Sequence, residues 1–151
     1  MVLTDEQKKA ITKEYDEWAA AQYAGKSKSE RQELGQFYTP PELTIRMIEK
    51  FENLEGPIVD PTAGGASLLA ACIMAGADPK NIFAIELDRK IYENVLVPRL
   101  TKLGVPKKNI RRGDALDPKA WDFNSDYKYF DPEEVKEKKG LLGFFGNVKS
   151  R

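Results

Sequence analysis

The chain has 151 residues, 41% of them hydrophobic and 32% charged, enough for one domain with a sizeable core. Lys+Arg and Asp+Glu both number 24, so the formal charge is zero; nucleic-acid contact is then expected through a local basic patch or a partner. There is one Cys and no His, which excludes an internal disulfide and argues against a zinc site, and no metal is expected. No apolar run approaches the roughly 20 residues of a membrane span, and the first residues lack a signal pattern, so a cytoplasmic protein without membrane contact is expected.

In chain order, Thr4-Asp5-Glu6-Gln7 has capping-box form. Ile11, Tyr15, Trp18 and Ala19 recur at helical spacing, which predicts a helix ending near Ala24-Gly25 with an aromatic packing face. Lys26 to Arg31 reads as a polar linker. Thr39 and Glu42 suggest a second capping box, with Pro41 in the first turn of a helix through Phe51 whose Ile45, Met47, Ile48 and Phe51 face inward.

Ile58-Val59-Asp60-Pro61-Thr62-Ala63-Gly64-Gly65-Ala66-Ser67 then runs from a strand through a tight loop into a helix. Gly64 and Gly65 allow close approach of a ligand to the backbone. A dinucleotide fingerprint would read G-x-G-x-x-G; this spacing differs, and Asp60 at the strand end would repel a pyrophosphate. An acid there suits an ammonium or hydroxyl-rich ligand, and S-adenosylmethionine (SAM), with its cationic amino-acid end, fits. The helix is expected to close at Gly76. Ile82 to Ile85 is a continuous apolar strand ending in Glu86, where α/β nucleotide binders place an acid for ribose hydroxyls. Asp88 caps a helix that Pro98 interrupts and Gly104 closes, and a third strand leads to Gly113-Asp114. Parallel strands are expected near 57–60, 82–87 and 109–113, in an α/β, three-layer, Rossmann-like fold with a truncated parallel sheet.

Asp60-Pro61-Thr62-Ala63-Gly64-Gly65-Ala66-Ser67 resembles the SAM loop D-P-x-x-G-x-G/S of amino-methylating DNA methyltransferases, above all the adenine-N6 type. Gly35-Gln36-Phe37-Tyr38-Thr39-Pro40 resembles the segment that precedes it in that family. Ala84-Ile85-Glu86-Leu87-Asp88 and Gly113-Asp114-Ala115-Leu116 resemble the two cofactor motifs that follow. The resemblance implies the SAM-dependent methyltransferase fold, with Phe37, Tyr38, Thr39 and Pro40 walling the methionine end. Asp60 would face the ammonium, and Pro61, Thr62, Gly64, Gly65 and Ser67 would form the loop. Glu86 and Leu87 would meet the ribose and its surroundings, and Asp114, Ala115 and Leu116 the adenine.

Past Leu116 the family's [DNS]-P-P-[YFW] acceptor segment has no counterpart. Asp131-Pro132 is the nearest candidate, so Asp131 is the candidate catalytic residue; an N-cap opening a short charged helix, 133–139 ended by Gly140, explains the same residues. Three segments are expected: an N-terminal helix and linker (1–34), a SAM-binding core (35–120), and a C-terminal helix with an apolar tail (121–151). The tail, 141–145, a second copy or a partner protein is expected to cover the open sheet edge. The readings are a methyltransferase acting on an exocyclic amine, a non-catalytic SAM-binding subunit or regulator of a split methyltransferase, or an antagonist that sequesters or degrades SAM. Such a short chain is compatible with a phage or mobile-element source.

Overall fold

The computed structural model describes residues 1–35 and 38–149, the side chains of residues 34 and 141–149 excepted. Helix α1 (Asp5–Tyr23) starts at the Thr4 capping box: Thr4 Oγ1 accepts from the Gln7 amide, and the Gln7 side chain accepts from the Thr4 amide. Gly25, at φ +73°, ends it. Ile11 and Ala19 are buried, as the spacing requires.

The expected polar linker is a helix instead. α2 (Lys28–Gly35) follows Ser27, whose hydroxyl accepts the Glu30 amide at 3.2 Å and donates to the Glu30 carboxylate at 3.0 Å. Ser27-x-x-Glu30 is thus a start signal inside what reads by composition as a linker. In α3 (Pro41–Glu49) the expected Thr39–Glu42 box does not form. Pro40 is the N-cap and makes no side-chain bond, which puts Thr39 one residue too early. Pro41 holds the residue before it extended, with Pro40 at ψ 156°. Thr44 and Ile48 are buried, but Met47 is 38% exposed rather than inward.

Strands β1 (Ile58–Asp60), β2 (Ile82–Glu86) and β3 (Ile110–Arg112) form a parallel sheet in the order β1-β2-β3, within two residues of the expected positions. Asp60 pairs with Ala84 and Glu86 with Arg112, so Asp60 and Glu86 both lie at the carboxyl edge. Between β1 and β2 runs α4 (Ser67–Met74), with Leu69, Ala70, Ala71 and Cys72 buried. Between β2 and β3 run α5 (Arg89–Ile91), a π-helical turn (Tyr92–Leu96) and α6 (Val97–Lys102). Pro98 has no N–H to give an α-helical bond; the wider turn before it, with Val97 N–H reaching Tyr92 O, absorbs that misfit. The core joins Leu3 and Ile11 to Ile48, Leu69, Ile82, Leu96 and Leu100.

After β3, Arg111 gathers the chain: its guanidinium donates to the carbonyls of Ala120, Asp122 and Ser125. α7 (Pro132–Lys149) runs straight through Gly140, which was expected to end it. A Cβ there would meet nothing within 4 Å, so no neighbour forces a turn. The proposed docking of the 141–145 side chains lies outside the described residues. The result is a mixed α/β domain with a three-stranded, open parallel sheet, compatible with a truncated Rossmann-like fold. Among the described residues, no helix is long and apolar enough to cross a membrane.

Candidate functional site at the carboxyl edge of the sheet

The loop from Asp60 to Ser67 is held by bonds that its sequence alone does not display. Asp60 Oδ1 accepts the Thr62 amide at 3.0 Å, and Ala63 N–H reaches back to Ile85 O at 2.9 Å. Gly64 N–H donates to Glu86 Oε1 at 2.9 Å, while Glu86 Oε2 accepts from the Asp88 amide at 2.8 Å. The acid ending β2 therefore ties down the loop that follows β1. Gly64 has φ +52°, within easy reach of glycine, and Ala66 has φ +69°, costing about 1–2 kcal/mol for a residue with a Cβ. Ala66 is fully buried, so the packing around it maintains that conformation.

Two cavities meet on this loop and share Thr62 and Gly64. The smaller, about 280 Å³, lies between Asp60, Gly65, Ser67 and Leu68 on one side and Thr39 and Met47 on the other. The larger, about 860 Å³, runs along Glu86, Leu87 and Asp88 to Arg112, Tyr129 and the start of α7. Burial pushes the Asp60 carboxyl above its ordinary range; the Thr62 amide opposes this and the nearby Glu86 charge adds to it. A cation placed in the smaller cavity would relieve that repulsion, and an anion would add to it.

The structure brings Thr39, Asp60, Thr62, Gly64, Gly65, Ser67, Glu86 and Leu87 together around these cavities. Tyr38 is buried behind Gly65, packed edge-on against Trp18 with centroids 4.4 Å apart. Pro40 caps α3, and Pro61 follows Asp60 into the turn. Phe37 lies outside the described residues. Asp114, Ala115 and Leu116 sit past the end of β3 and line neither cavity. Asp114 Oδ1 accepts the Leu116 amide at 2.9 Å, Ala115 O accepts the Trp121 indole at 2.9 Å, and the Leu116 side chain is 90% exposed. Asp131 lines the larger cavity, accepts the Glu133 amide at 2.9 Å and pairs with Arg112 at 2.9 Å. The Glu133 amide, with Arg112 behind it, holds its carboxyl below the usual range.

Sequence reasoning missed three residues here. Met47 lines the smaller cavity, and its exposed side chain on α3 was read as core. Arg112 holds Asp131 and Glu134 at the mouth of the larger one. Arg99, only 4% exposed, grips the loop from behind; its place on the face shared by Val95, Leu96 and Leu103 was the available signal.

A parallel sheet with a glycine loop after its first strand and acids ending the first two strands is compatible with a truncated Rossmann-like fold. The family model described as N-6 DNA methylase matches residues 7–119, three quarters of the chain, and the chain belongs to that family. The match reaches back through α1, well before Gly35, where the motif resemblance begins. Methylation of DNA is the family's activity, with SAM and DNA as its usual partners. Among curated proteins and among solved structures no match is found.

Proposed function

We propose that the chain is the cofactor-binding half of an adenine-N6 DNA methyltransferase and binds SAM in the paired cavities. One observation carries the reading: Asp60 and Glu86 end neighbouring strands at the carboxyl edge, and Glu86 accepts the Gly64 amide of the loop that leaves Asp60. The donor set fits the cofactor. Asp60 would accept from its ammonium, Gly64 and Gly65 would leave room for the methionine chain, and Thr39 and Met47 would close that cavity. Glu86 keeps lone pairs for the ribose hydroxyls, and exposed Leu87 offers an apolar face to the adenine.

Bound SAM supplies a methyl group already activated by its sulfonium. An exocyclic amine then needs an in-line approach and an acceptor for its hydrogen bonds. The bonds that Asp131 makes to Glu133 and Arg112 support a helix-cap role for it rather than that of an acceptor. This favours the second reading, a SAM-binding subunit whose acceptor-binding half comes from elsewhere. Val59, 36% exposed on β1 and beside the edge that β2 does not cover, supports a partner or second copy there.

The test is a thermal-shift screen with SAM, its demethylated product, NAD and ATP, followed by methyl transfer from labelled SAM to DNA lacking N6-methyladenine. SAM and its product should stabilise the protein, and NAD and ATP should not. The chain alone should leave the DNA unlabelled. Stabilisation by NAD above that by SAM would overturn the assignment of the cavity, and labelling at ordinary enzyme rates would overturn the subunit reading.

A further inference from the structure

Arg99 is the charged residue among those buried in the described part of the chain. It reaches the glycine loop from the side away from the cavities. Its Nη1 donates to Gly65 O at 2.9 Å and to Ser67 Oγ at 3.1 Å. Its Nε and Nη2 donate to the two carboxylate oxygens of Glu14 on α1, at 3.0 and 2.7 Å. Trp18, one turn further along α1, covers the guanidinium with its ring centroid 3.7 Å from Cζ. Trp18 also packs on Tyr38, in the segment leading to Thr39.

A buried guanidinium needs a paired charge and bonded nitrogens; Glu14 supplies the charge, and each of the three nitrogens is bonded. The fork geometry makes the contact directional: one edge is committed to Glu14, and the remaining Nη1 fixes the Gly65 carbonyl. The loop is therefore clamped on two sides. Glu86 holds the Gly64 amide from β2, and Arg99 holds the Gly65 carbonyl from α6. Between these bonds and the first turn of α4 stands Ala66 in its left-handed conformation.

We propose that Arg99, anchored by Glu14 and Trp18, is a positioning residue that sets the shape of the glycine loop. It thereby makes α1 a working part of the cofactor site rather than a packing appendage. Through Trp18 the same anchor braces Tyr38, the residue before Thr39 in the wall of the smaller cavity. The inference rests on the SAM reading for its functional consequence, while the effect on the loop stands on its own.

The experiment compares Arg99→Met, Glu14→Gln and Ile11→Ala with the unmodified chain, each below its own melting temperature. Ile11 packs α1 into the same core and, unlike Arg99, gives the loop no hydrogen bond, so its truncation reproduces a loss of packing alone. Two readouts are taken: amide hydrogen exchange over residues 63–68, and SAM affinity by titration. Arg99→Met should speed exchange in the loop and weaken SAM binding, each by about tenfold, as expected for loss of a charged hydrogen bond. Glu14→Gln should move both in the same direction by less, and it keeps the test open if Arg99→Met does not fold. Ile11→Ala should lower the melting temperature yet leave both readouts within about twofold. Unchanged loop exchange in folded Arg99→Met and in Glu14→Gln, or equal loosening by Ile11→Ala, would overturn the inference. An unmodified chain that ignores SAM would overturn the cofactor reading, and the exchange readout would still decide the role of Arg99.

Discussion

Replacing Asp60 by Asn should make the ligand-free protein more stable and the ligand-binding protein worse. The carboxyl is held above its ordinary pKa by burial and by Glu86. The folded state therefore binds this proton more tightly than the unfolded chain, whose value is near 3.9. Asp60 favours folding fully below that value, and the contribution is lost as pH rises through the raised one, so near neutrality the ionised carboxylate weakens the fold. Asn keeps an oxygen for the Thr62 amide, now at 3.0 Å from Oδ1, and removes the charge. Each kcal/mol relieved should raise the melting temperature by about 2–4 °C at neutral pH, with the gain shrinking as pH falls toward 4. On the proposed SAM reading the same change removes the partner of the cofactor's ammonium, a charged hydrogen bond worth about 1.5–3 kcal/mol, or roughly 10- to 150-fold in affinity. Differential scanning calorimetry without ligand and isothermal titration with SAM, both from pH 5 to 8, read the two effects. SAM affinity in the unmodified chain should fall toward the acidic end as Asp60 takes up its proton. An Asp60→Asn protein that binds SAM unchanged would take Asp60 out of the ligand site, and one that melts lower at neutral pH would show that the carboxylate does not weaken the fold.

Glu86→Ala leaves the Gly64 and Asp88 amides without their acceptor, and denaturant titration should show a loss of about 1–3 kcal/mol together with weaker SAM binding. Arg111→Met frees three carbonyls and the rings of Phe123 and Tyr127, so limited proteolysis should cut the segment 115–130 faster while SAM affinity changes little. Cys72 is fully buried and its thiol is pushed up to about 12, chiefly by burial with Asp60 adding to it. A thiol reagent at pH 8 should leave the folded protein unlabelled and label it on unfolding.

Local signals carried most of the fold. The capping box at Thr4, the Asp88 cap, the apolar run Ile82 to Ile85 and the glycine loop are all written within a few neighbouring residues, and the elements stand where those residues put them. Two local signals were present but outweighed. Ser27-x-x-Glu30 was hidden by a lysine-rich composition, and Thr39-x-x-Glu42 has the right letters one residue out of phase with Pro41. The tertiary clamps were beyond reach. Arg99 meets Glu14 across 85 positions and Gly65 across 34, and Arg112 meets Asp131 across 19. No period or cap encodes such pairs; each depends on where the sheet has already placed the helices. Helix α7 passes Gly140 because a glycine stops a helix only where the backbone must turn left-handed.

In the proposed complex one ligand, SAM, occupies the two cavities that meet at Gly64. A ¹H–¹⁵N correlation spectrum of the uniformly labelled chain, titrated with SAM, tests this residue by residue. Saturable, one-to-one shifts should concentrate at the amides of Thr62 to Leu68 and Glu86 to Asp88, and leave Lys107 to Asn109, at the opposite edge of the sheet, unmoved. Shifts that fail to saturate, or that cluster away from the glycine loop, would contradict it.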